Sequence, residues 1–469
     1  MDLEEALAFL AEKKLWHFLI FITIAAFDIP FAFNLMSPSF LAGEPKSYRC
    51  LGNKAFGYIT ENSSYDFDIA SDQCSFNVSL YNESISRSEA CDYFEHSKEP
   101  FGKTVITEFN LVCNKKTYGR IATAVFYLGV LCGSFFTNTL SDRIGRKWVV
   151  LSGLFVQAAS GVLMSLIPGF ITFVILRTIQ GLSAKAVGIL PESPRFYMAA
   201  NKPEKAKKIL RRASKINKIE LPANFELKTE SSKADMIGNR LYTPIDLIRT
   251  PRVRRYFLLS SFLWFSNNLS YYMLSNESTT WGGNVYATFM MGGAIELPAY
   301  ITSYMFGERF GRRINLMVGH TVLAFTCSLL GILNSYRESY DWLGPIVITL
   351  GVFSKYLSAF TFSFLLLIGT ELFPTVLRGQ AMGVCTLLGD FGTVISPVLL
   401  FLSGIYQPLP YIFVGCVSFF GAISVYFLAE TWHRTLPVTV HDTEELHLMK
   451  PIEKMSLDEG VAVNGDSKA

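Results

Sequence analysis

The chain has 469 residues, half of them hydrophobic and only 17% charged, whereas an ordinary soluble protein carries about 25% charged residues. With 39 Phe and 21 Tyr, this composition excludes a disordered chain, a collagen and a small disulfide-stapled secreted module. A formal net charge of +3 is too small to point to nucleic acid, and where the charges fall says more than their sum.

Apolar runs recur along the chain at 16–37, 118–140, 148–168, 171–190, 256–275, 284–306, 315–335, 344–369, 379–402 and 409–429. A helix rises about 1.5 Å per residue, so about 20 residues cross the roughly 30 Å hydrocarbon layer. One such run suits a buried helix, but ten in order read as bilayer spans of an all-α polytopic membrane protein. The fourth run is the weakest, carrying Arg177 and Lys185. Segment 1–15 does not read as a signal peptide, because Glu4 and Glu5 open it and no small-residue cleavage pattern follows.

The short connections set the orientation, because Lys and Arg collect on the cytoplasmic side. Arg143, Arg146 and Lys147 lie between the second and third runs, Arg309, Arg312 and Arg313 between the sixth and seventh, and Arg378 between the eighth and ninth. Placing these inside puts both termini in the cytoplasm of a multi-pass plasma-membrane protein. The connection 191–255 is then cytoplasmic too; from Arg195 to Arg255 it holds 16 Lys or Arg against 6 Asp or Glu, a net +10. The expected order is a cytoplasmic start (1–15), a first span (16–37) and an extracellular loop (38–117). A shortened remainder of the N-terminal half (118–190) and the basic loop (191–255) follow. A six-span C-terminal half (256–429) and a flexible tail (430–469) complete it.

The extracellular loop holds Cys50, Cys74, Cys91 and Cys113. An even cysteine count in an oxidising compartment suggests two disulfides, with three pairings open. Sequons at Asn62, Asn77 and Asn82 mark the loop as glycosylated, and a fourth at Asn276 follows the fifth span close to the membrane. The other four cysteines, Cys132, Cys327, Cys385 and Cys416, lie in apolar runs and read as small buried hydrophobes.

Two short cytoplasmic stretches repeat one arrangement. In the first, Asp142 and Arg143 precede Gly145, Arg146 and Lys147; in the second, Glu308 and Arg309 precede Gly311, Arg312 and Arg313. Glycine permits a tight turn between helices, the acid pairs or caps, and the bases anchor the turn at the lipid surface. The bland reading is anchoring alone, while two copies after even-numbered spans suggest the paired halves of a secondary transporter. Pro191-Glu192-Ser193-Pro194-Arg195 opens the basic loop. Within 201–215, Lys205, Lys208 and Arg212 share one helical face, with Ala206, Ile209, Leu210 and Ala213 forming an apolar strip. Such a helix either lies along the inner membrane face or packs beneath the spans. Glu371 and Arg378 bracket a Phe-Pro-Thr turn at the end of the eighth span, where a gating contact is expected if the turn folds back.

Ionisable residues within spans are costly and face a cavity, a partner or a substrate. Asp28, Glu296, Lys355 and Asp390 are the candidates. Gly389, Gly392 and Pro397 around Asp390 suit close packing or a locally broken helix. A structural network with Lys355, Arg177 and Lys185 is one reading. The other is a net negative cavity for small organic cations, with Trp264, Phe265, Tyr271, Tyr272 and Tyr286 adding aromatic faces. Catalytic signatures are missing: there is no phosphate-cradling loop, nucleophile–base pair or metal-ligand cluster, so neither an enzyme nor a cofactor is expected. His320, deep in a span, reads as a satisfied or pore-lining histidine.

Taken together, the loop with its cysteines, Thr107–Cys113, Asp142–Lys147, Pro191–Arg195 and Glu371–Arg378 resemble the organic cation/anion/carnitine transporter family of the major facilitator superfamily. The resemblance covers residues 10–435. It implies alternating access without ATP hydrolysis, in a bilayer, with no nucleic-acid partner. In the cation branch an acid stands in the span after the Glu-Leu-Phe-Pro-Thr turn, here Asp390, and Glu296 fits the same side. Glu296, Lys355, Trp264, Tyr271 and Tyr272 complete the expected substrate-sensing set. A homo-oligomer through the extracellular loop is a further expectation. The alternatives are an organic anion or carnitine transporter, and a non-transporting shortened isoform acting as a regulator or inactive product.

The departure from the family is length, since twelve spans are normal there and ten are read here. Arg177-Thr178-Ile179-Gln180-Gly181 resembles the family's fourth span, yet Pro191–Arg195, which normally follows the sixth, begins after only nine intervening residues. The expectation is a major facilitator fold with a truncated first half, two complete crossings short, which leaves every downstream orientation unchanged.

Overall fold

The computed structural model describes residues 15–53, 57–58, 65–71, 73–80, 86–144, 146–187, 203–219, 245–337, 339–374, 377–434, 436–437 and 439–446. Asn62, Asn82, Gly145 and Pro191–Arg195 lie outside these residues. The chain divides into two compact units, one of residues 1–241 with 275–279 and 393–404, the other of 242–274, 280–392 and 405–469.

The first unit opens with α1 (Leu15–Met36). The loop after it, besides the short helical turns Pro38–Leu41 and Val105–Glu108, folds into two antiparallel three-stranded sheets. The first sheet, in the order β2–β1–β6, is built from β1 (Tyr48–Asn53), β2 (Gly57–Tyr58) and β6 (Tyr93–His96). The second, in the order β3–β4–β5, is built from β3 (Tyr65–Ile69), β4 (Ser75–Leu80) and β5 (Ser86–Ala90). Alternation in β4 buries Phe76 against Cys50 and Cys91 and turns Asn77 outward. The cysteines pair Cys50–Cys91 and Cys74–Cys113, one of the three open combinations.

Three helices follow, α2 (Lys116–Ile144), α3 (Arg146–Leu166) and α4 (Phe170–Val187), with α4 packed along both α2 and α3. The basic stretch forms α5 (Pro203–Asn217), which packs on α1. Its strip of Ala206, Leu210 and Ala213 is buried, which favours the packed reading over the membrane-lying one.

The second unit contains α6 (Pro251–Glu277, without its last turn), α7 (Val285–Ala294), α8 (Glu296–Phe310), α9 (Arg312–Tyr336), α10 (Leu343–Leu372), most of α11 (Arg378–Leu399) and α12 (Leu409–Tyr426). The expected span 284–306 is broken into α7 and α8. Pro298 has no N–H and its ring crowds the carbonyl four residues back, at Ala294, where α7 ends. Helix α9 packs along α10 and α12, and α8 along α10, around a core that includes Leu316, Ala359, Phe364, Leu372 and Val425. Part of the segment expected to be a flexible tail is ordered as α13 (Val440–Glu445). There Glu444 accepts the main-chain N–H groups of Arg252 and Val253 at 3.0 and 3.1 Å, capping the start of α6.

Among the described residues, six stretches are long and apolar enough to cross a membrane: Cys113–Thr137, Trp148–Leu166, Arg312–Tyr336, Leu343–Leu372, Arg378–Gly404 and Leu409–Tyr426. The other expected spans fall on α1, α4, α6 and the α7–α8 pair, which are helical but not among the six.

Candidate functional site

The break at Ile295 puts Glu296 at the first position of α8. Tyr271, two turns from the end of α6, donates its hydroxyl to Glu296 Oε1 at 2.8 Å. Lys355, midway along α10, brings its ammonium within 3.4 Å of the same oxygen. That ammonium also donates to the Tyr271 carbonyl at 3.4 Å and sits 3.1 Å from the centre of the Tyr271 ring. Tyr272 meets Tyr271 edge-on at 5.3 Å. The Lys355 side chain is 6% exposed and that of Glu296 19%. A pair so placed has lost most of its water, and the phenol and carbonyl replace part of that solvation. Four residues of the expected set therefore meet, with Glu296 neutralised by Lys355 and one Tyr271 face already occupied by a cation.

Trp264 lies farther back along α6, and Asp390 lies on α11. Gly389 and Gly392 allow α11 to approach α6 closely. A Cβ on Gly389 would stand 2.9 Å from Asn268 Nδ2 and 3.2 Å from the Trp264 carbonyl; one on Gly392 would stand 3.0 Å from the Leu269 nitrogen. Asp390, between them, is 5% exposed. From Trp264 to Tyr271 the axis of α6 advances about 10 Å. Trp264 packs in the apolar core, edge-on to Phe362, and its indole N–H has no partner among the described residues. It is a core residue here rather than a free aromatic face. Below it, Thr361 donates to Asn267 Oδ1 at 2.7 Å. His320 is fully buried, and neither ring nitrogen has a partner among the described residues.

The second charged motif forms a compact network. Arg312 reaches Glu308 at 3.2 Å and Glu371 at 3.6 Å. Glu430, which the sequence reading missed, accepts the main-chain N–H groups of Arg312 and Arg313 at 3.1 Å each, a carboxylate at the positive end of α9. Gly311 turns into that end with φ +83°. Arg309 lies over the Phe310 ring at 5.5 Å. Glu371 and Arg378 do not pair: Thr431 donates to Glu371 at 2.5 Å, and Arg378 donates to the Phe373 carbonyl at 3.4 Å. The turn does not fold back because Arg312 occupies the carboxylate. In the first motif, Asp142 and Arg143 end α2 and Arg146 opens α3.

Arg177 of α4 was a candidate partner for the buried acids. Its guanidinium instead donates to Asn34 Oδ1 at 2.8 Å and Gln180 Oε1 at 2.7 Å, bonds the Ser37 hydroxyl, and lies 4.2 Å from the Phe126 ring centre. Its partners among the described residues are all neutral. Among the same residues, no group of three or more His, Cys, Asp or Glu is arranged to hold a metal.

Paired charged turns, a broken helix bearing an acid and buried ionic groups inside a helical bundle define a solute transporter rather than an enzyme. Comparison with known proteins agrees. The sugar (and other) transporter family model matches residues 184–439, over half the chain, and the major facilitator superfamily model matches 107–191. The chain is 30% identical to rat solute carrier family 22 member 3 over 73% of its length and 72% of that protein. It is 26% identical to mouse solute carrier family 22 member 4 over 95% of each chain. The organic cation transporter protein of Drosophila melanogaster is 25% identical, over 96% of this chain and 94% of that one. Among solved structures, the proton:xylose symporter XylE shares the fold at a TM-score of 0.50 and 17% identity, over 71% of this chain and 90% of that one. The chain belongs to the sugar (and other) transporter family. It is a polytopic major facilitator protein, related at moderate identity to solute carrier family 22, working as a secondary-active or facilitative transporter.

Proposed function

We propose that the chain carries small organic cations across the plasma membrane by alternating access, with Asp390 as the substrate-attracting charge. The observation that carries this reading is a carboxylate buried to 5% exposure within a membrane-crossing helix. Lys355 pairs with Glu296, and a carboxylate such as Asp390 in a low-dielectric interior attracts cations. The Drosophila relative named as an organic cation transporter supports the same substrate class.

A second reading is favoured by two observations. The two family models meet between residues 184 and 191, and the alignment to the mouse relative runs over 534 positions against a chain of 469 residues. Both support a first half short of two crossings, as in a non-transporting regulator or inactive product.

Uptake of a permanently charged quaternary ammonium, normalised to surface protein, tests the two. Saturable uptake that Asp390→Asn abolishes supports the cation reading. Uptake inhibited by carboxylates, or dependent on sodium, moves the assignment to organic anions or carnitine. Normal surface delivery with no uptake of either class sinks transport for this form.

A further inference from the structure

Helix α5 has two opposite faces, and only one of them packs against the described residues. Ala206, Leu210 and Ala213 are 0%, 1% and 2% exposed, and the helix packs on α1. Asn217, also buried, accepts the main-chain N–H of Trp16 at 2.7 Å, which ties the end of α5 to the first turn of α1. At about 100° per residue, Lys208, Arg211, Arg212 and Lys215 occupy one stripe directly opposite the buried one. All four are exposed, and Lys218 follows just past the helix end, exposed as well. No ion pair to a described carboxylate holds any of these five. Glu204 is the single acid on the stripe, at the amino end of the helix where the helix dipole favours it.

This division of faces selects a mechanism. A helix that inserts into the interface uses its apolar face for lipid; here that face is spent on α1. The carboxyl end of the helix nevertheless lies at the amino end of an apolar 22-residue segment, beside a tryptophan of the kind that sits at the headgroup level. What it presents at that level is charge alone. We infer that the exposed basic stripe of α5 is a docking surface for anionic lipid headgroups, binding them electrostatically without insertion. Clusters of four to eight Lys or Arg next to a membrane helix have this property, each residue contributing roughly a fivefold preference for an anionic surface. The inference does not depend on which solute the transporter carries. It does rest on α1 being a membrane span.

The test is native mass spectrometry of the full chain in neutral detergent, titrated separately with phosphatidylcholine, phosphatidylserine and a phosphatidylinositol bisphosphate. The anionic lipids should be retained over phosphatidylcholine. In Lys208→Gln/Arg211→Gln/Arg212→Gln/Lys215→Gln that preference should fall by at least about tenfold, with helix content and elution volume unchanged. Glu204→Gln should raise it. If the quadruple variant fails to fold, Lys208→Gln/Arg211→Gln and Arg212→Gln/Lys215→Gln are measured separately, each expected to lose part of the preference. Equal retention of anionic lipid by wild type and folded variants overturns the inference. So does binding of soluble inositol phosphate or inorganic phosphate at the stripe without any preference for anionic over neutral lipid. Co-purification of an acidic protein through these residues, with lipid retention unaltered by the substitutions, overturns it as well.

Discussion

Lys355 and Glu296, on separate helices, share one carboxylate oxygen with the hydroxyl of Tyr271, the ammonium at 3.4 Å and the phenol at 2.8 Å. The arrangement joins α10 to the amino end of α8 at the point where Pro298 has interrupted the helix. Removing one member leaves the other buried without its counter-charge, the situation that costs most in a low-dielectric interior.

Lys355→Met should therefore destabilise the protein by about 3–5 kcal/mol, and the double variant Lys355→Met/Glu296→Leu by much less. Thermal unfolding of the detergent-solubilised protein reads both. A double variant as unstable as the single one would mean that the loss came from packing around Lys355 and not from the charge.

Asp390→Asn keeps the size and hydrogen-bonding shape of the side chain while removing its charge. Cation uptake should fall to background with the melting temperature nearly unchanged. Parallel losses of uptake and stability would assign Asp390 to structure.

At the start of α9, Gly311 has φ +83° and ψ 176°, a region essentially reserved for glycine, and a Cβ there would stand 3.0 Å from the Glu430 carboxylate. Gly311→Ala should cost about 1–3 kcal/mol through backbone strain. Glu430→Ala should cost about 1 kcal/mol through loss of the cap. Stability curves of each variant in detergent check both values, and the double variant should fall short of their sum, since the two act on the same turn.

Glycan attachment should separate two sequons that look alike on paper. Asn77 is exposed in the middle of β4. Asn276 accepts the hydroxyls of Ser39 and Tyr127, and its amide nitrogen is buried. Asn77→Gln should speed migration on gels to the extent of one glycan, whereas Asn276→Gln should leave it unchanged.

Features written in short range were legible before the structure. The glycine between basic residues predicted the turn before α9, and the amphipathic spacing of 201–215 predicted α5. Glu430 was not, because it lies 118 residues from the Arg312 nitrogen it caps and nothing local marks a carboxylate for a distant helix end. The expected Glu371–Arg378 contact failed for the same reason, a remote arginine having taken the acid. The loop sheets escaped notice because their strands are two to six residues long, too short for alternation to stand out. Trp264 was offered as a binding surface on composition alone; burial, which sequence does not report, makes it core.

The two disulfides interleave along the chain, Cys50 to Cys91 across Cys74 to Cys113. Each bridge spans about 40 residues and by loop-closure entropy contributes about 4 kcal/mol. Interleaving adds something that two successive loops would lack. Every peptide bond from Cys50 to Cys113 lies under at least one bridge, so a protease that nicks this loop once releases nothing. The two pieces stay covalently joined until a reductant reaches them, and the loop tolerates a cut in its backbone as a knot tolerates a frayed strand.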